Sequence, residues 1–496
     1  MLGAIDVGMS GLKGARLDIT GQPKLVISPW GDSVTPTVIF LGPNGAVFGM
    51  EAVQAGAMDP SRCIQHAKRK TGTGEVLGVG HDGKEWRSGD CYQFAVAWFK
   101  RMVETATGEI VDQVVLTVPA NYMDPQIREV RQAAEAAGLE VILIVREPTA
   151  FAVCNNGTGR GNGKVMVIDV GGGTTDVTIL SSSGNNLDVM GTSGIAELGG
   201  RDFTAKLETA VLDPFCKQHG FVPDKTADAV ELMNLTSNCE RAKILLSRCP
   251  SAPVVFTCRG HTIRMDFTQA DFERLCADLG TQLINCVTQA LDDCKLKPAD
   301  LREVLLAGGA CQTPMLAACI EKALGIKPVI AREPMHGAAL GAVIMGQAEL
   351  ARRGKTVSVG GVLIPPPEFF IQEVTAHPLG VTVVIPGSNK LVHSVVVPRG
   401  HPFPCDITRN FQLALPNATV ARIEILQGDP DAAREACVIL GSVEMDGLPP
   451  IPDRPHVLEI RFRLDADGVA WVTARDVESG KVVEMKVDTR KVPPTP

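Results

Sequence analysis

The sequence predicts an α/β fold over residues 1–355, followed by an all-β region. Three observations support this division. Short β-branched apolar runs alternate with helical stretches in the first two-thirds of the chain. The motif Ile5-Asp6-Val7-Gly8 recurs 163 residues later as Ile168-Asp169-Val170-Gly171, which indicates two similar lobes that face a shared cleft. Beyond residue 355, strand and turn patterns with frequent prolines replace the helix signals.

The α/β assignment rests on apolar strands that are separated by helices with start and stop signals. Buried strands are expected at Val114–Val118, Val141–Val145, Val165–Val170 and Val304–Ala307. Asp124, as the capping residue before Pro125, and Gly138 predict the two ends of one helix. Thr268 and Asp271 predict a capping box at the start of another helix.

A change in composition near residue 355 predicts a linker. Gly354, Gly360 and Gly361, followed by prolines at 365–367, interrupt regular structure. Residues 461–472 predict two strands around a tight turn, and no helical segment follows the strands. The predicted units are an α/β domain at 1–355, a linker at 356–373 and an all-β domain at 374–496.

Composition and charge exclude several classes of protein. A chain of 496 residues is too long for one hydrophobic core, so two to four domains are expected. A net charge of −8 argues against nucleic acid as a partner. The chain starts without a signal-peptide pattern, and no apolar run approaches the ~20 residues that span a bilayer. We therefore expect no membrane partner and a cytoplasmic protein, whose 14 cysteines suit buried reduced thiols.

The second copy of the repeat has the composition of a phosphate-binding turn. Gly171, Gly172 and Gly173 allow the backbone to approach a ligand closely, and exposed N–H groups in such a turn bind anions. Thr174 and Thr175 add hydroxyl donors, while Asp169 and Asp176 are placed to hold hydrated Mg²⁺. Taken alone, the segment is equally consistent with a glycine-rich hairpin whose acids are solvated. Together with the first copy, the phosphate interpretation is favoured.

An ordered set of motifs resembles the DnaK-type heat-shock chaperone family over essentially the whole chain. In the α/β region the set is Ile5–Gly8, Val118–Ala120, Glu147–Ala150, Ile168–Asp176, Leu198–Asp202, Glu240–Lys243 and Leu306–Gly309. In the β region it is Leu426–Gly428, Asp446-Gly447, Asp465–Gly468 and Ala474–Asp476. The resemblance implies an actin-like, two-lobed ATPase domain followed by a β-sandwich that binds peptides. The family's helical lid and acidic tail have no counterpart here, so no helical lid is expected.

The resemblance also implies ATP and Mg²⁺ as ligands. Asp6 and Asp169 resemble the acids that hold Mg²⁺ through water, and Lys68, Glu147 and Thr174 resemble catalytic residues. The remaining nucleotide-binding positions are Gly8, Ser10, Gly171, Gly172, Gly173, Thr175, Asp176, Gly199, Gly200, Glu240, Lys243, Ser247, Gly308 and Gly309. Each of these residues also has a purely structural interpretation. Lys68, for example, would ordinarily be a solvated surface lysine.

In the β region the resemblance implies a groove for extended, apolar peptide segments. The matching positions are Val381, Val384, Phe411, Ala414, Ala421, Ile423 and Leu458. Apolar strand residues are equally typical of a sandwich core, so both interpretations stay open for each position. The implied partners are unfolded or extended polypeptides, with a J-domain co-chaperone and a nucleotide exchange factor as possible further partners.

Several positions depart from the family pattern. Met9 stands where the first phosphate loop has a hydroxyl residue, and a thioether cannot donate a hydrogen bond. Gln312 and Met335 replace an arginine and an acid near adenine, and Ile127 replaces an arginine of interdomain signalling. The linker segment Phe369–Glu373 keeps only part of its apolar character.

These departures leave three hypotheses. The first is a slow ATPase whose nucleotide state controls peptide binding. The second is a scaffold that binds ATP or peptide without hydrolysis or without coupling between the domains. The third, a small-molecule kinase or a filament-forming relative, agrees with the first 350 residues or so but not with the β-rich region.

Overall fold

The computed structural model describes most of the chain. The described residues are 1–156, 162–183, 186–367, 370–375, 377–385, 387–388, 390–465 and 470–486, without the side chains of 156, 370–373 and 486. Part of the predicted linker, including Phe369, and most of the predicted turn at 465–468 lie outside these ranges. Among the described helices, none is long and apolar enough to cross a membrane.

The first lobe is a mixed sheet with helices, built from residues 1–156. Its elements are β1 (Leu2–Val7), β2 (Gly11–Leu17), β3 (Pro23–Leu25), β4 (Thr35–Pro36), β5 (Ile39–Gly42), β6 (Gly45–Phe48), α1 (Met50–Gly56), β7 (Cys63–Ile64), β8 (Gly78–Val79), β9 (Glu85–Trp86), α2 (Ser88–Thr107), β10 (Gln113–Val118), α3 (Asp124–Ala136), β11 (Glu140–Arg146) and α4 (Glu147–Asn156). The main sheet has the order β11-β10-β1-β2-β3, with β4 also paired to β2. Every residue of β1 is buried, as expected for a central strand.

The second lobe repeats this plan. Its elements are β12 (Gly163–Val170), β13 (Thr175–Ser183), β14 (Asn186–Ile195), α5 (Gly200–His219), α6 (Ala229–Leu246), β15 (Ser251–Cys258), β16 (His261–Thr268), α7 (Gln269–Leu275), α8 (Ala277–Asp293), β17 (Leu301–Ala307), α9 (Pro314–Leu324) and β18 (Val329–Ile330). The chain then returns to the sheet of the first lobe with α10 (Gly337–Arg352), β19 (Val357–Val359) and β20 (Val362–Ile364), whose buried residues share a core with Leu2 and Val115. Helix α10 packs closely on α4. A Cβ on Gly341 would lie 1.8 Å from the carbonyl oxygen of Ala150, so the contact requires glycine at this position.

The predicted duplication is confirmed as two antiparallel hairpins. In the first, β1 pairs with β2 and Asp6 lies opposite Lys13. In the second, β12 pairs with β13 and Asp169 lies opposite Asp176. The first strand of each hairpin also has a parallel neighbour. Strand β10 lies beside β1 in the first lobe, and β17 lies beside β12 in the second. The two acids of the repeated motif therefore sit at equivalent strand ends.

The last part of the described chain consists of strands. They are β21 (Phe370–Val374), β22 (Leu379–Val384), β23 (Leu391–Val397), β24 (Pro402–Phe403), β25 (Cys405–Gln412), β26 (Ala421–Gln427), β27 (Val438–Met445), β28 (Val457–Leu464), β29 (Ala470–Asp476) and β30 (Val482–Lys486). Two four-stranded sheets, β23-β22-β26-β27 and β25-β28-β29-β30, share one apolar core. Strand β28 alternates buried with more exposed residues, the pattern of a sheet with one buried face.

The predicted linker contains regular structure. Strands β19 and β20 form a hairpin, and Val357, Val359 and Ile364 pack into the core under the first sheet. Strand β21 then pairs in parallel with β14, so that it extends the sheet of the second lobe. That sheet has the order β18-β17-β12-β13-β14-β21-β24.

Most of the predicted helix boundaries agree with the structure. Thr268 and Asp271 form the predicted capping box, with the Asp271 N–H donating to the Thr268 Oγ1 over 3.2 Å. Thr313-Pro314 and Gly325 are a further pair of start and stop signals, and helix α9 begins at Pro314 and ends before Gly325. The prediction that Asp124 caps α3 is wrong. Asp124 is the first residue of the helix, and its carboxylate accepts a hydrogen bond from Arg128 instead.

Candidate functional site

Four buried carboxylates from the two lobes gather in the cleft between the hairpins. Asp6 ends β1, Asp169 ends β12, Asp176 begins β13 and Glu147 begins α4. Each is less than a tenth exposed. Carboxylates are rarely buried without a partner, so this grouping marks a site rather than a core.

Asp6 has partners from two neighbouring strands. Its Oδ1 accepts a hydrogen bond of 3.0 Å from Thr117 on β10. Its Oδ2 accepts one of 2.8 Å from the Nζ of Lys13 on β2. Burial acts to raise the pKa of Asp6, but the positive charges of Lys13 and Lys68 outweigh it and lower this pKa. Asp6 is therefore held as a carboxylate.

Lys68 and Glu147 form a buried ion pair. The Nζ of Lys68 donates to Oε1 of Glu147 over 2.6 Å, and their side chains are 5% and 10% exposed. Tyr122 fixes the same turn, because its hydroxyl donates to the Lys68 carbonyl over 3.1 Å. Burial works against the charge on Lys68, yet Glu147 and Asp6 overcome it and raise the pKa of the ammonium. Lys68 is thus a fixed cation in the cleft, not the solvated lysine that its sequence position alone would suggest.

The two acids of the second hairpin have strongly perturbed pKa values. Burial, followed by the charges of Glu147, Asp176 and Asp6, raises the pKa of Asp169 well above its usual range. Burial and the charge of Glu147 raise the pKa of Asp176 to about 7, although Asp176 accepts a 2.9 Å hydrogen bond from the Ala120 N–H. Crowded acids of this kind bind either protons or a cation. The cluster therefore has the donor set expected for hydrated Mg²⁺.

The turn between β12 and β13 is held by backbone contacts. The Gly171 N–H donates to the Thr174 carbonyl over 3.0 Å, and the Gly200 N–H donates to the Gly171 carbonyl over 2.9 Å. A Cβ on Gly199 would lie 2.4 Å from the Gly173 nitrogen, so no larger residue fits there. The hydroxyl of Thr175 is buried and donates to the Leu198 carbonyl over 2.8 Å. In this conformation Thr175 joins the two glycine turns.

The first hairpin turn touches the second. Met9 is buried, and a Cβ on Gly173 would lie 1.9 Å from the Met9 sulfur. A Cβ on Gly172 would lie 2.2 Å from the Ser10 hydroxyl oxygen. Arg69 holds the second turn from outside, since its guanidinium donates to the Gly173 carbonyl over 2.9 Å and to Asp202 over 2.6 Å. The side chains of Met9 and Ser10 thus lie directly against the turn of the second hairpin.

The positions assigned to the nucleoside lie beyond these turns. The Nζ of Lys243 donates to the Gly200 carbonyl over 2.9 Å and to Glu240 over 2.6 Å. Ser247 lies one helical turn further along, with its hydroxyl 3.4 Å from the Lys243 carbonyl. Gly308 has a φ of +82°, and a Cβ there would lie 2.4 Å from Asp169 Oδ1, so the turn formed with Gly309 requires glycine at 308.

Comparison with known protein families agrees with this architecture. The family model described as "Hsp70 protein" matches residues 73–494. The chain belongs to the Hsp70 family. Relatives named "Chaperone protein DnaK" occur in Thermotoga neapolitana, at 30% identity over 495 residues, and in Thermotoga petrophila, at 31%. Each alignment covers 98% of this chain and 80% of the relative. A relative of the same name from Thermosipho africanus is 30% identical, with 79% of its length covered.

In this Hsp70-family chain the predicted groove positions separate into two groups. Val381, Ala421, Ile423 and Leu458 are at most 5% exposed and belong to the sandwich core. Phe411 is half-buried against that core, while Val384 is 45% exposed and Ala414 is also exposed. In this conformation, therefore, the core interpretation fits the first four positions, and the others are accessible at the edge of the sandwich.

The departures from the Hsp70 pattern also have defined surroundings. Ile127 is 3% exposed and lies in the core of the first lobe. Its neighbour Arg128 is buried and pairs with Asp124 over 2.6 Å. Met335 is 36% exposed near the nucleoside side of the cleft. Ile127 therefore contributes packing where the family pattern has a charged residue.

Sequence analysis did not identify Lys13, Thr117 and Arg69 as residues of the site. Lys13 was detectable in principle, because a tight turn after Gly8 places residue 13 opposite residue 6 in an antiparallel hairpin. Thr117 reaches Asp6 from 111 residues away, and Arg69 reaches Asp202 from 133 residues away. No local pattern predicts such contacts.

Proposed function

We propose that this chain is an ATP-dependent molecular chaperone that binds exposed apolar segments of unfolded polypeptides, with ATP binding and hydrolysis controlling peptide affinity. The observation that carries the proposal is the buried cluster of Asp6, Lys68, Glu147 and Asp169 between two glycine turns. The relatives named as DnaK chaperones support the same function.

The residues of the cleft fit a magnesium nucleotide. Glycine turns that exclude any side chain at Gly199 and Gly308 suit close approach by a ligand. Asp6 and Asp169 would hold Mg²⁺ through water, and Asp176 would support them. Bound Mg²⁺ would neutralise charge on the phosphates. The remaining assigned glycines, with Ser10, Thr174 and Thr175, would contact the phosphates, and Glu240, Lys243, Ser247 and Gly309 would contact the nucleoside.

Three charged groups are suited to hydrolysis. Lys68 presents a fixed cation that stabilises negative charge developing on a transferring phosphoryl group. Glu147 orients Lys68 through the 2.6 Å ion pair. Asp169, buried at the centre of the acid cluster, would accept the proton that an attacking water releases. Thr174 completes the proposed catalytic set, and we expect turnover to be slow.

We further propose an ATPase domain at 1–355, a linker at 356–373 and a peptide-binding domain at 374–496. Contacts across the proposed linker support coupling. The Asp124 N–H donates to the Gln427 side chain over 3.1 Å, and Arg399 pairs with Asp293 over 3.1 Å. Strand β21 pairs with β14, whose hairpin partner β13 carries Asp176. Changes at the acid cluster thus have a short path to the sandwich.

The sandwich supports peptide binding through an exposed apolar rim. Its members are Val384, Ile385, Leu391, Leu415 and Val420, which are between 37% and 69% exposed. Such a rim favours an extended apolar segment as ligand. Unfolded polypeptides are therefore the proposed clients. A J-domain co-chaperone and a nucleotide exchange factor are proposed as further partners from family membership alone.

The deciding experiment follows release of a fluorescent, aliphatic-rich peptide by anisotropy, with and without Mg-ATP. Wild-type protein is expected to release the peptide faster with ATP, whereas Asp169→Asn is expected to release it at the same rate with and without ATP. Peptide binding that ATP does not alter would contradict the proposed coupling.

A scaffold that binds ligands without coupled hydrolysis is the second candidate, because buried Met9 fills the space between the glycine turns. Single-turnover measurement with radiolabelled ATP separates the two. A scaffold would bind peptide and show no phosphate release above the Asp169→Asn background.

A further inference from the structure

Lys13 introduces a second lysine into the acid cluster. It lies on β2 directly opposite Asp6 on β1, so both side chains point to the same face of the hairpin. Its Nζ lies 2.8 Å from Asp6 Oδ2, and its side chain is 17% exposed. The ammonium is therefore held at the cleft but remains open to it.

The internal repeat shows what this position is in the second lobe. There the residue opposite the strand-end Asp169 is Asp176, which lies the same 163 residues after Lys13 as Asp169 lies after Asp6. Asp176 faces the cleft and belongs to the acid cluster. By the same geometry, Lys13 occupies a cleft-lining position of the first lobe, with the opposite charge.

The ammonium also lies at the turn that leads out of β1. A Cβ on Gly8 would lie 2.6 Å from the Nζ of Lys13 and 2.6 Å from the Gly11 carbonyl oxygen. Met9, in the same turn, cannot donate a hydrogen bond, and Ser10 is its one hydroxyl residue. Lys13 thus supplies this turn with a cationic donor in the place where Met9 provides none.

The other cations of the cleft have acidic partners as well. Lys68 is paired with Glu147 over 2.6 Å, and Arg69 is paired with Asp202 and the Gly173 carbonyl. Lys13 has one acidic partner and two further N–H donors on its ammonium. A phosphate group near Gly8 would meet these donors without breaking the Lys13–Asp6 pair.

We propose that Lys13 is a phosphate-binding residue of the first hairpin turn, one that takes over the donor role that Met9 cannot fill. The inference rests on the proposed nucleotide site and goes beyond it by assigning a residue specific to this chain. Lys13 would then contribute to affinity for the phosphate part of the nucleotide and not for the nucleoside. A lysine that only positions Asp6 would act through bound Mg²⁺, so its loss would weaken ADP binding in the presence of Mg²⁺ but not in its absence.

The test is competition against ADP that carries a fluorescent label on the ribose, with unlabelled ADP and adenosine as competitors. The full chain is compared with Lys13→Met, Lys13→Arg and Lys24→Met. Lys24 is a matched control because it lies on β3 of the same sheet and its side chain is 61% exposed. Adenosine affinity also reports whether each variant is folded.

Lys13→Met is expected to weaken the binding of ADP about tenfold or more, because a hydrogen bond to a charged group is lost. The affinity for adenosine is expected to change less than about twofold. Lys13→Arg should restore most of the ADP affinity, and Lys24→Met should resemble wild type. The ADP affinity of wild type should also fall more steeply with salt than that of Lys13→Met. The competition is run with Mg²⁺ and with a chelator. Equal weakening of ADP and adenosine, weakening of ADP only when Mg²⁺ is present, or unchanged ADP affinity would overturn the role of Lys13 alone. A wild-type chain that binds neither competitor would overturn the proposed nucleotide site as well.

Discussion

The sulfur of Met9 packs against the backbone of Gly173, across the gap between the two hairpin turns. The contact is close enough that a Cβ at residue 173 would lie 1.9 Å from the sulfur, and Met9 is only 5% exposed. An apolar side chain therefore fills the space between the two hairpin turns. Under the proposed function, a phosphate must displace this side chain before it binds.

Met9→Thr is accordingly expected to strengthen ATP and ADP binding by about 1 kcal/mol, roughly fivefold, because it removes a buried obstruction and adds a hydroxyl donor. Calorimetric titration of the nucleotide-free protein measures the change. Met58→Thr is the matched control, since Met58 is 85% exposed. Unchanged or weaker nucleotide binding by Met9→Thr would contradict the view that the Met9 side chain obstructs the phosphates.

The Lys68–Glu147 pair should be coupled energetically. Lys68→Met leaves a buried carboxylate without its partner and is expected to lower the free energy of unfolding by about 3 kcal/mol. Adding Glu147→Gln to Lys68→Met should recover part of that loss, since the buried charge is then removed. Urea unfolding followed by tryptophan fluorescence tests this. Strictly additive effects would show that the 2.6 Å contact carries no coupling energy.

The acid cluster predicts a pH dependence of stability. The pKa of Asp176 is raised to about 7 by burial and Glu147, whereas an unfolded aspartate titrates near 4. Between these values the folded chain holds a proton that the unfolded chain has released, so stability falls as the pH rises from about 4 to about 7. Asp176→Asn removes this pH dependence. The free energy of unfolding of the variant, relative to that of wild type, should therefore increase between about pH 4 and about pH 7.

The measurement is the free energy of unfolding of the nucleotide-free chain at pH 5, 6, 7 and 8, with Mg²⁺ chelated. The expected gain of Asp176→Asn over wild type at pH 8 is on the order of a few kcal/mol, less whatever is lost at the Ala120 hydrogen bond. A constant difference between the two proteins across the series would contradict the raised pKa.

A buried pair in the sandwich also predicts a loss of stability as the pH rises. His456, Asp476 and Glu478 bring ligand atoms within 4.8 Å of one another. His456 Nδ1 lies 2.8 Å from Asp476 Oδ1, and its Nε2 lies 2.8 Å from the Pro449 carbonyl oxygen. Both ring nitrogens thus face hydrogen-bond acceptors. The protonated imidazolium is favoured, because it donates a hydrogen bond from each nitrogen. Burial opposes this charge, but the hydrogen bonds outweigh it and raise the pKa of His456.

The stability contributed by this pair should be fully present below the ordinary histidine pKa, near 6.5, and should be lost as the pH rises through the raised value. At the acid end, burial acts against the carboxylate of Asp476, but its hydrogen bonds lower its pKa, so the pair persists to lower pH than an ordinary aspartate would allow. His456→Gln should flatten this profile, whereas His81→Gln, at an exposed position, should not. A chelator that lowered the wild-type melting temperature would instead indicate a bound metal ion.

The sequence by itself determined the features that depend on short stretches of chain. Strands with continuous apolar runs, glycine turns after Asp6 and Asp169, and a capping box at Thr268 all follow from local periodicity and local backbone geometry. The order of motifs was sufficient to indicate the family, because many weak matches in one order are jointly specific.

Only the tertiary structure decided which side chains meet. The Lys68–Glu147 pair joins residues that are 79 positions apart, and the Met9–Gly173 contact joins the two lobes. It likewise decided that Val381 and Ile423 lie in the sandwich core while Val384 reaches the surface. Burial and charge pairing depend on how separate elements pack, and alternation along a strand does not reveal which face a partner sheet will cover.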